Sequence, residues 1–440
     1  MTRTEKLLAE LIALPSVNPA FAPQDEVGTA RCAVRVASSG AMKSRFHPPH
    51  TGWDTAARRP YLYSGEKNMA DFLASVAARA GLEVELQPVF GVRGHVRALE
   101  SGDMSPHSKI ERSNLIVRLL PRNKIRRTIL LAPHLDTVGA DESQFIPRRK
   151  NGRLHGRGAC DTKGSVAAML TALCELANTK SRPQETEIVF ASLIDEENAQ
   201  AGSRALVAQA SRLRVPNGRD ARATTLAIVG EPTRLQVVTA HKGSLWLRLE
   251  THGKAAHGAA PQLGQNAVRE MARIVCALET DYAARLRKRK HPLLGAATVN
   301  VGVISGGSQP NIVPDRCAIT IDRRTLPGET ETGVRREIAA FLNSKNLSAK
   351  ISSVKLAPCP PLETNSRLPL VRQFLRSVGQ SKPAGVDYFC DAAVLAAGGI
   401  PSVVFGPGDI AQAHTADEWI SLASLERGKN LLLNFLKSLP

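Results

Sequence analysis

Five short motifs between His134 and His414 carry seven acidic or histidine residues whose types suit a pair of metal ions. Two imidazoles and three carboxylates form a typical ligand set for two Zn²⁺-like ions, and two carboxylates remain for support and proton transfer. The pattern predicts a di-metal hydrolase site. The seven residues are His134, Asp136, Asp161, Glu196, Glu197, Glu231 and His414.

The first motif places His134 and Asp136 two positions apart, so both side chains point the same way in an extended segment. A carboxylate beside an imidazole ligand can fix its tautomer and raise its basicity. Taken alone, the motif is equally compatible with a buried His-Asp pair that binds no metal.

The second motif is a glycine-rich segment, residues 156–164, that precedes a predicted helix. A dinucleotide-binding loop would have a third glycine where Asp161 stands, and a carboxylate there would repel a pyrophosphate. Each oxygen of a carboxylate in a sharp loop can bind one cation. The segment therefore favours a bridging ligand over a nucleotide site.

The third motif, Asp195-Glu196-Glu197, places three carboxylates at the end of an apolar strand. Bound cations would offset the repulsion between these negative charges. Adjacent residues of an extended strand point in opposite directions, so one glutamate can bind a metal while the other faces the substrate water. A solvated acidic turn is the alternative.

Strands and helices alternate around these motifs, which indicates an α/β fold with a central, mostly parallel sheet. Each motif follows a strand or lies in a loop, where open α/β sheets usually bind ligands. At 440 residues the chain is too long for one ordinary core, so two domains are expected. The predicted strands here are residues 82–86, 114–120, 128–132, 187–194 and 226–229, and the helices are 66–80 and 165–177.

The pattern changes after Pro232, and residues 235–353 read as a smaller α+β sandwich inserted into the first domain. Residues 1–234 and 354–440 are then one discontinuous domain, and these two segments must fold together for His414 to lie near the other ligands. The inserted block has predicted strands at 237–251, 297–305 and 317–325 and predicted helices at 265–287 and 331–343.

Two basic stretches, residues 27–65 and 92–112, show no sustained periodicity and are predicted surface insertions. The histidines there are expected to be solvated. They are His47, His50, His95 and His107.

Composition narrows the class of protein further. The net charge is +18, but only 4% of residues are aromatic and no recognition motif is present, which argues against nucleic-acid binding. No segment has the apolar run of a signal peptide or membrane span. Seven cysteines without a Cys-x-x-Cys pair indicate reduced thiols, and the cytoplasm is the expected compartment.

In this order, the motifs resemble the co-catalytic zinc family that includes aminoacylase, glutamate carboxypeptidase, acetylornithine deacetylase and succinyl-diaminopimelate desuccinylase. The resemblance runs from about residue 113 to the C-terminus, with the first helix and residues 16–19. It implies that two divalent ions bind, Zn²⁺ being favoured and Co²⁺ or Mn²⁺ possible. His134 and Glu231 would bind one ion and Glu197 and His414 the other, with Asp161 bridging. Asp136 would support the first site, and Glu196 would be the general base.

Three further residues are weak signals singly and gain roles only from the resemblance. His257 would help to polarise the scissile carbonyl, while Asn311 and Arg324 would hold the substrate, Arg324 through a carboxylate. The resemblance also makes residues 235–353 a lid and dimerisation domain, so a homodimer is expected. Thr162 and Cys390 depart from the residues frequent in relatives, but neither belongs to the proposed metal ligands.

The expected reaction is hydrolysis of the amide bond of an N-acyl amino acid. An exopeptidase that cleaves short peptides is the alternative, and Arg324 favours a substrate with a free carboxylate. A non-catalytic binding protein on the same fold is a third reading, against which the complete ligand set argues. The acyl group, the side-chain preference and the physiological metal stay open.

Overall fold

The computed structural model describes residues 1–21, 65–89, 112–209, 225–355, 357 and 359–440. The two predicted insertions, with the four histidines expected to be solvated, lie outside these ranges except for their last residues, Gly65 and Arg112. Gly65 begins a helix and Arg112 is buried, so the predicted surface position is wrong at these two residues and stays a prediction for the rest. Within the described ranges, no helix is both long and apolar enough to cross a membrane.

The described strands are, in chain order, β1 (Glu83–Pro88), β2 (Ser113–Leu119), β3 (Arg127–Ala132), β4 (Arg148–Lys150), β5 (Arg153–His155), β6 (Thr186–Ser192), β7 (Thr225–Val229), β8 (Val238–His241), β9 (Gly243–His252), β10 (Lys290–His291), β11 (Gly295–Ala296), β12 (Thr298–Gly306), β13 (Arg316–Thr325), β14 (Lys350–Ser353), β15 (Leu362–Glu363), β16 (Ala384–Val386), β17 (Ser402–Val404) and β18 (Trp419–Ser421). The described α-helices are α1 (Arg3–Ile12), α2 (Gly65–Arg79), α3 (Lys163–Ala177), α4 (Ala201–Gln209), α5 (Ala267–Ala277), α6 (Ala283–Arg287), α7 (Glu331–Asn343), α8 (Pro369–Ser377), α9 (Ala392–Ala397) and α10 (Leu422–Lys437).

The larger sheet has nine strands in the order β1-β2-β6-β3-β7-β17-β8-β15, with β16 beside β8. Its central strands β6, β3, β7 and β17 run parallel, whereas β1 and β2 pair antiparallel at one edge. A parallel centre must be covered on both faces, which explains why every residue of β6 is buried. The predicted α/β fold with a mostly parallel central sheet is confirmed.

Two helical layers cover this sheet. Helices α1, α2, α3, α8 and α10 share one hydrophobic cluster with alternate strand residues such as Leu115 and Val117. The intervening Ile116 faces the opposite cluster, to which α4 and α9 contribute. This alternation follows from the two-residue period of a strand.

The smaller sheet has four antiparallel strands in the order β12-β13-β9-β14. Leu245, Leu247 and Leu249 of β9 pack with apolar residues of α5 and α7, while Trp246 lies on the opposite, exposed face. The predicted α+β block is therefore present. Its exact limits, residues 235–353, stay a prediction.

The predicted strand at 237–251 is wrong as a single element. The structure divides it into β8, which lies in the large sheet, and β9, which lies in the small one, with Lys242 between them. At Gly243 a Cβ atom would come within 2.4 Å of Thr325 Oγ1 and 2.6 Å of the Cys359 carbonyl oxygen, so there is no room for a side chain at the start of β9. Both strands are largely buried, so the apolar pattern runs through the junction and hides it.

Candidate metal centre

The three neighbouring parallel strands β6, β3 and β7 end at one edge of the large sheet, and each is followed by predicted metal ligands. His134 follows β3, Glu197 follows β6 and Glu231 follows β7. Asp161 comes from the loop before α3, and His414 from the loop before β18. This is the edge at which open α/β sheets bind ligands.

These five side chains form two overlapping triads. His134 Nε2 lies 3.1 Å from Asp161 Oδ1 and 3.9 Å from Glu231 Oε1. His414 Nε2 lies 3.1 Å from Glu197 Oε1 and 3.4 Å from Asp161 Oδ2. Asp161 therefore presents one carboxylate oxygen to each triad, which is the geometry that a bridging ligand needs.

The donor set of both triads fits divalent cations. The candidate ligand atoms of each triad lie within 4.8 Å of one another, and imidazole nitrogen with carboxylate oxygen suits Zn²⁺, Co²⁺ or Mn²⁺. Burial, with mutual repulsion adding to it, raises the pKa of Glu196, Glu197 and Glu231. Ionising these carboxylates together is therefore costly, and two divalent cations would offset that cost.

Both imidazoles lie in strongly negative surroundings. Burial opposes protonation of His134, yet its hydrogen bonds with Asp136 and Asp161 hold its pKa well above the usual value. Hydrogen bonds with Asp161 and Glu197 raise the pKa of His414 to about 10. The negative charge around each ring can be neutralised by a proton or, in its place, by a metal cation.

Asp136 joins the two ligand-bearing loops behind the triads. His134 Nδ1 donates to the Asp136 carbonyl oxygen at 2.9 Å, which leaves Nε2 facing Asp161. The Asp136 carboxylate accepts hydrogen bonds from the backbone N–H groups of Glu196 and Glu197, each at 3.1 Å. It therefore lies where a supporting carboxylate should, although its role stays a prediction.

A buried polar network, which the sequence did not predict, continues behind Asp136. Asn18 Nδ2 donates to both Asp136 Oδ2 and Asp195 Oδ1, at 2.7 and 3.0 Å. Arg112 donates to Asp195 Oδ1 at 3.0 Å and to both Glu66 oxygens at 2.6 Å. Asp195 has φ of 64°, an uncommon left-handed conformation for a residue other than glycine. The network fixes the backbone that carries Glu196 and Glu197.

Glu418 is a second feature that the sequence did not predict. Its two oxygens accept hydrogen bonds from the backbone N–H groups of Gly158, Cys160 and Asp161 at 2.8–3.0 Å, and from Arg157 Nη1 at 2.9 Å. A single buried carboxylate thus holds the loop that presents Asp161. Glu418 lies four residues after His414, but nothing in that spacing indicates its contacts.

The three residues with roles implied only by the resemblance make no hydrogen bond or ion pair with the triads in the described structure. His257 and Asn311 are exposed on adjacent loops, joined by the hydrogen bond from Gly258 N to Asn311 O at 2.7 Å. Among the described residues, neither side chain contacts a predicted metal ligand. Arg324 lies near the end of β13, where its Nε donates to Asp322 Oδ2 at 2.9 Å.

Comparison with known proteins relates this arrangement to one family. Residues 130–438 match the family described as Peptidase family M20/M25/M40. An acetylornithine deacetylase from Myxococcus xanthus is 31% identical over 338 residues, which cover 73% of this chain and 83% of the relative. An M20 family metallo-carboxypeptidase of Sulfolobus solfataricus shares the fold, with a TM-score of 0.67 and 17% identity over 99% of each chain. The dinuclear metal-binding peptidase YXEP of Bacillus subtilis matches 99% of this chain over 96% of its own, with a TM-score of 0.62 and 12% identity.

Proposed function

The chain belongs to peptidase family M20/M25/M40, and on that premise we propose that it is a di-metal deacylase that hydrolyses the amide bond of N-acyl amino acids. Its family and relatives make it a metal-dependent amide hydrolase, either a deacylase or an exopeptidase. The observation that carries the proposal is the pair of triads that share the two oxygens of Asp161.

Each triad is assigned one ion. His134 and Glu231 would hold the first, Glu197 and His414 would hold the second, and Asp161 would contribute to both. Zn²⁺ is the favoured metal because it accepts this mixture of imidazole and carboxylate ligands, and Co²⁺ or Mn²⁺ would be tolerated by the same donors. The bound ions would supply positive charge that polarises the scissile carbonyl and favours ionisation of the attacking water.

Glu196 is the proposed general base. It takes a proton from the attacking water and passes it to the nitrogen of the leaving amine, so that one carboxylate serves both steps. Burial raises the pKa of Glu196, and the positive charge of two bound cations would lower it again, so that the carboxylate can first accept a proton and then release it. Asp136 keeps His134 in the required tautomer and holds the backbone at Glu196 in place.

Deacylation is favoured over peptide cleavage because the relative from Myxococcus xanthus is an acetylornithine deacetylase. Arg324 offers a guanidinium for a substrate carboxylate, which argues against an aminopeptidase that recognises a free α-amine. A carboxypeptidase or dipeptidase would use the same metal pair and the same arginine, so an exopeptidase is the second candidate. A non-catalytic binding protein is disfavoured because the chain carries every residue of the proposed ligand set together with Glu196.

A homodimer is the proposed assembly. Strand β12 is an edge strand of the small sheet, and its Val303 and Ile304 side chains are 59% and 56% exposed. His257 and Asn311 lie in the same block and away from the metal ligands of their own chain. We therefore place the lid block, residues 235–353, against a second copy, whose active site receives His257 to polarise the carbonyl and Asn311 to hold the substrate.

The cytoplasm is the proposed compartment. All six cysteines within the described ranges are free thiols, and no disulfide is formed among them. Five of the six are buried, as expected of thiols that serve packing in a reducing environment.

A hydrolysis screen tests the function. N-acetyl, N-succinyl and N-formyl amino acids are compared with dipeptides, with Zn²⁺, Co²⁺ and Mn²⁺ added separately to metal-depleted protein. We expect turnover of at least one N-acyl amino acid at a kcat/KM well above that for any dipeptide. Faster cleavage of dipeptides would replace the deacylase by the exopeptidase, and no turnover on either series would contradict both.

A further inference from the structure

A half-buried aromatic ring, Phe389, lies between two cationic side chains near the junction of the two sheets. The Arg324 guanidinium is 5.7 Å from the ring centre, and the Lys355 ammonium is 5.2 Å from it. Lys355 also lies 4.3 Å from the ring centre of Trp246. Aromatic faces attract cations without neutralising them, so the positive charge of Lys355 stays available to an anion.

This cationic group borders the metal centre on the side of Glu231. Tyr388 Oη donates to the carbonyl oxygen of Pro232, the residue after Glu231, at 3.4 Å. Cys390, on the other side of Phe389 in the chain, is buried. Phe389 lies between these two residues, so the segment that carries it passes directly beside a proposed metal ligand.

A chain of polar contacts holds the two cations in one cluster. Asp322 accepts a hydrogen bond from Arg324 Nε and another from Ser244 Oγ, both at 2.9 Å. The Ser244 backbone N–H donates to the Cys359 carbonyl at 2.9 Å. Lys355 Nζ in turn lies 3.9 Å from Cys359 Sγ. The cluster therefore joins β9 and β13 of the small sheet to the chain that returns to the large one.

The two cations differ in their charge balance. Arg324 has a carboxylate partner in Asp322. Among the residues that the structure describes, no carboxylate lies within ion-pair distance of Lys355, although its side chain is half-buried. A half-buried ammonium group of this kind gains from an anion supplied by a ligand, because such a charge-assisted hydrogen bond is stronger than a neutral one.

We propose that Lys355 recognises a second carboxylate of the substrate while Arg324 holds the first. The inference rests on the proposed function and narrows its substrate class to N-acyl amino acids with two carboxylates. The second carboxylate belongs either to the amino-acid side chain, as in an acidic amino acid, or to the acyl group, as in a dicarboxylic acyl chain.

Two substrate pairs of nearly equal shape distinguish these sources. The first compares N-acetyl-L-glutamate with N-acetyl-L-glutamine, and the second compares an N-succinyl amino acid with its N-succinamoyl amide. Lys355→Gln removes the charge, and Lys355→Glu reverses it. Lys350→Gln is the matched control, because Lys350 is an exposed lysine of the nearby strand β14.

We expect the wild-type enzyme to prefer the carboxylate in one pair by about tenfold in kcat/KM, or about 1.4 kcal/mol. Lys355→Gln should abolish that preference, mainly through KM, and Lys355→Glu should reverse it. Lys350→Gln should behave as wild type.

Two outcomes separate this inference from the proposed function. If neutral N-acyl amino acids are hydrolysed but neither carboxylate is preferred, or the preference survives in Lys355→Gln, the subsite is wrong and the deacylase stands. If no N-acyl amino acid is hydrolysed at all, the proposed function fails and the inference falls with it.

Discussion

At the scale of single residues, the neighbours Glu196 and Glu197 have different surroundings. Glu197 Oε1 is 3.1 Å from His414 Nε2, whereas the Glu196 carboxylate makes no hydrogen bond within the described ranges. Both backbone N–H groups donate to Asp136, so the two side chains start from one fixed backbone. The geometry therefore favours one glutamate as a ligand and the other as the base.

Replacing each glutamate by glutamine should separate these roles. Glu196→Gln should lower kcat by at least about 10²-fold while the protein keeps both metal ions, because it removes a proton acceptor and no ligand. Glu197→Gln should instead weaken the binding of one ion. Metal content and kcat are measured together, with Glu10→Gln, at an exposed position of helix α1, as the control. If both site variants keep their metal and stay active, the assignment is wrong.

At the scale of elements, one carboxylate supports the loop before α3. Glu418 accepts hydrogen bonds from three backbone N–H groups of this loop, including that of Asp161. Burial raises the pKa of Glu418. Because Asp161 is shared, a displaced loop should affect both metal ions at once.

We therefore expect Glu418→Gln to weaken the binding of both ions, since an amide offers one acceptor oxygen in place of two. Titration with Zn²⁺ should show the loss as a lower affinity at both steps. Asp417→Asn makes the same change of charge at an exposed neighbour and should bind as wild type does. If only one of the two Zn²⁺-binding steps lost affinity, the claim that both ions share Asp161 would be contradicted.

The end of β8 predicts a dependence of stability on pH. His241 is fully buried, its Nδ1 donates to the Lys242 carbonyl at 2.9 Å, and its Nε2 has no partner in the described structure. Burial lowers the pKa of His241 from 6.5 to about 4. Between these two pKa values, His241 is protonated in the unfolded chain but neutral in the folded protein. Its contribution to the free energy of unfolding is therefore fully present above pH 6.5 and is lost as the pH falls towards 4.

His241→Asn should reduce this loss on acidification. Between pH 6.5 and 4.5 the histidine accounts for about 2 kcal/mol of lost unfolding free energy, and the variant should lose that much less. Urea unfolding at both pH values gives the comparison. His252→Asn, at an exposed position of β9, is the control. Equal losses in wild type and His241→Asn would contradict the assignment.

The sequence predicted the elements, and the side chains that meet in the two triads, better than it predicted the side chains that hold those triads in place. The alternation of strands and helices indicated the parallel sheet, and the ends of its strands indicated where the ligands meet. The junction between β8 and β9 was missed because the pattern of buried residues is the same whether two strands belong to one sheet or to two. The roles of Glu418 and Arg112 were missed because their hydrogen-bond partners are distant in sequence. Such contacts produce no periodic pattern in the sequence.

At the scale of the whole molecule, the two exposed loops of the lid block that carry His257 and Asn311 bear on how the chains assemble. His257 and Asn311 are neighbours, but neither contacts a predicted metal ligand of the same chain in the described structure. In the proposed dimer, the lid block of one copy completes the site of the other. An imidazole there can donate a hydrogen bond to the developing oxyanion.

Mixing two inactive variants tests this arrangement. Glu196→Gln chains lack the base and His257→Ala chains lack the imidazole, but a mixed dimer contains one site with both. After complete subunit exchange, an equal mixture should regain about a quarter of wild-type turnover, because half of the dimers are mixed and each has one intact site. If exchange is demonstrated and the mixture stays inactive, His257 does not act across the interface.

Metal analysis of the reconstituted protein tests the central claim most directly, namely that two cations share Asp161. Protein loaded with Zn²⁺ and then freed of excess metal should hold about two ions per chain, because each triad binds one. A chelator should abolish turnover, and added metal should restore it. A chain that holds no stoichiometric metal, or one that keeps full turnover after chelation, would contradict the account.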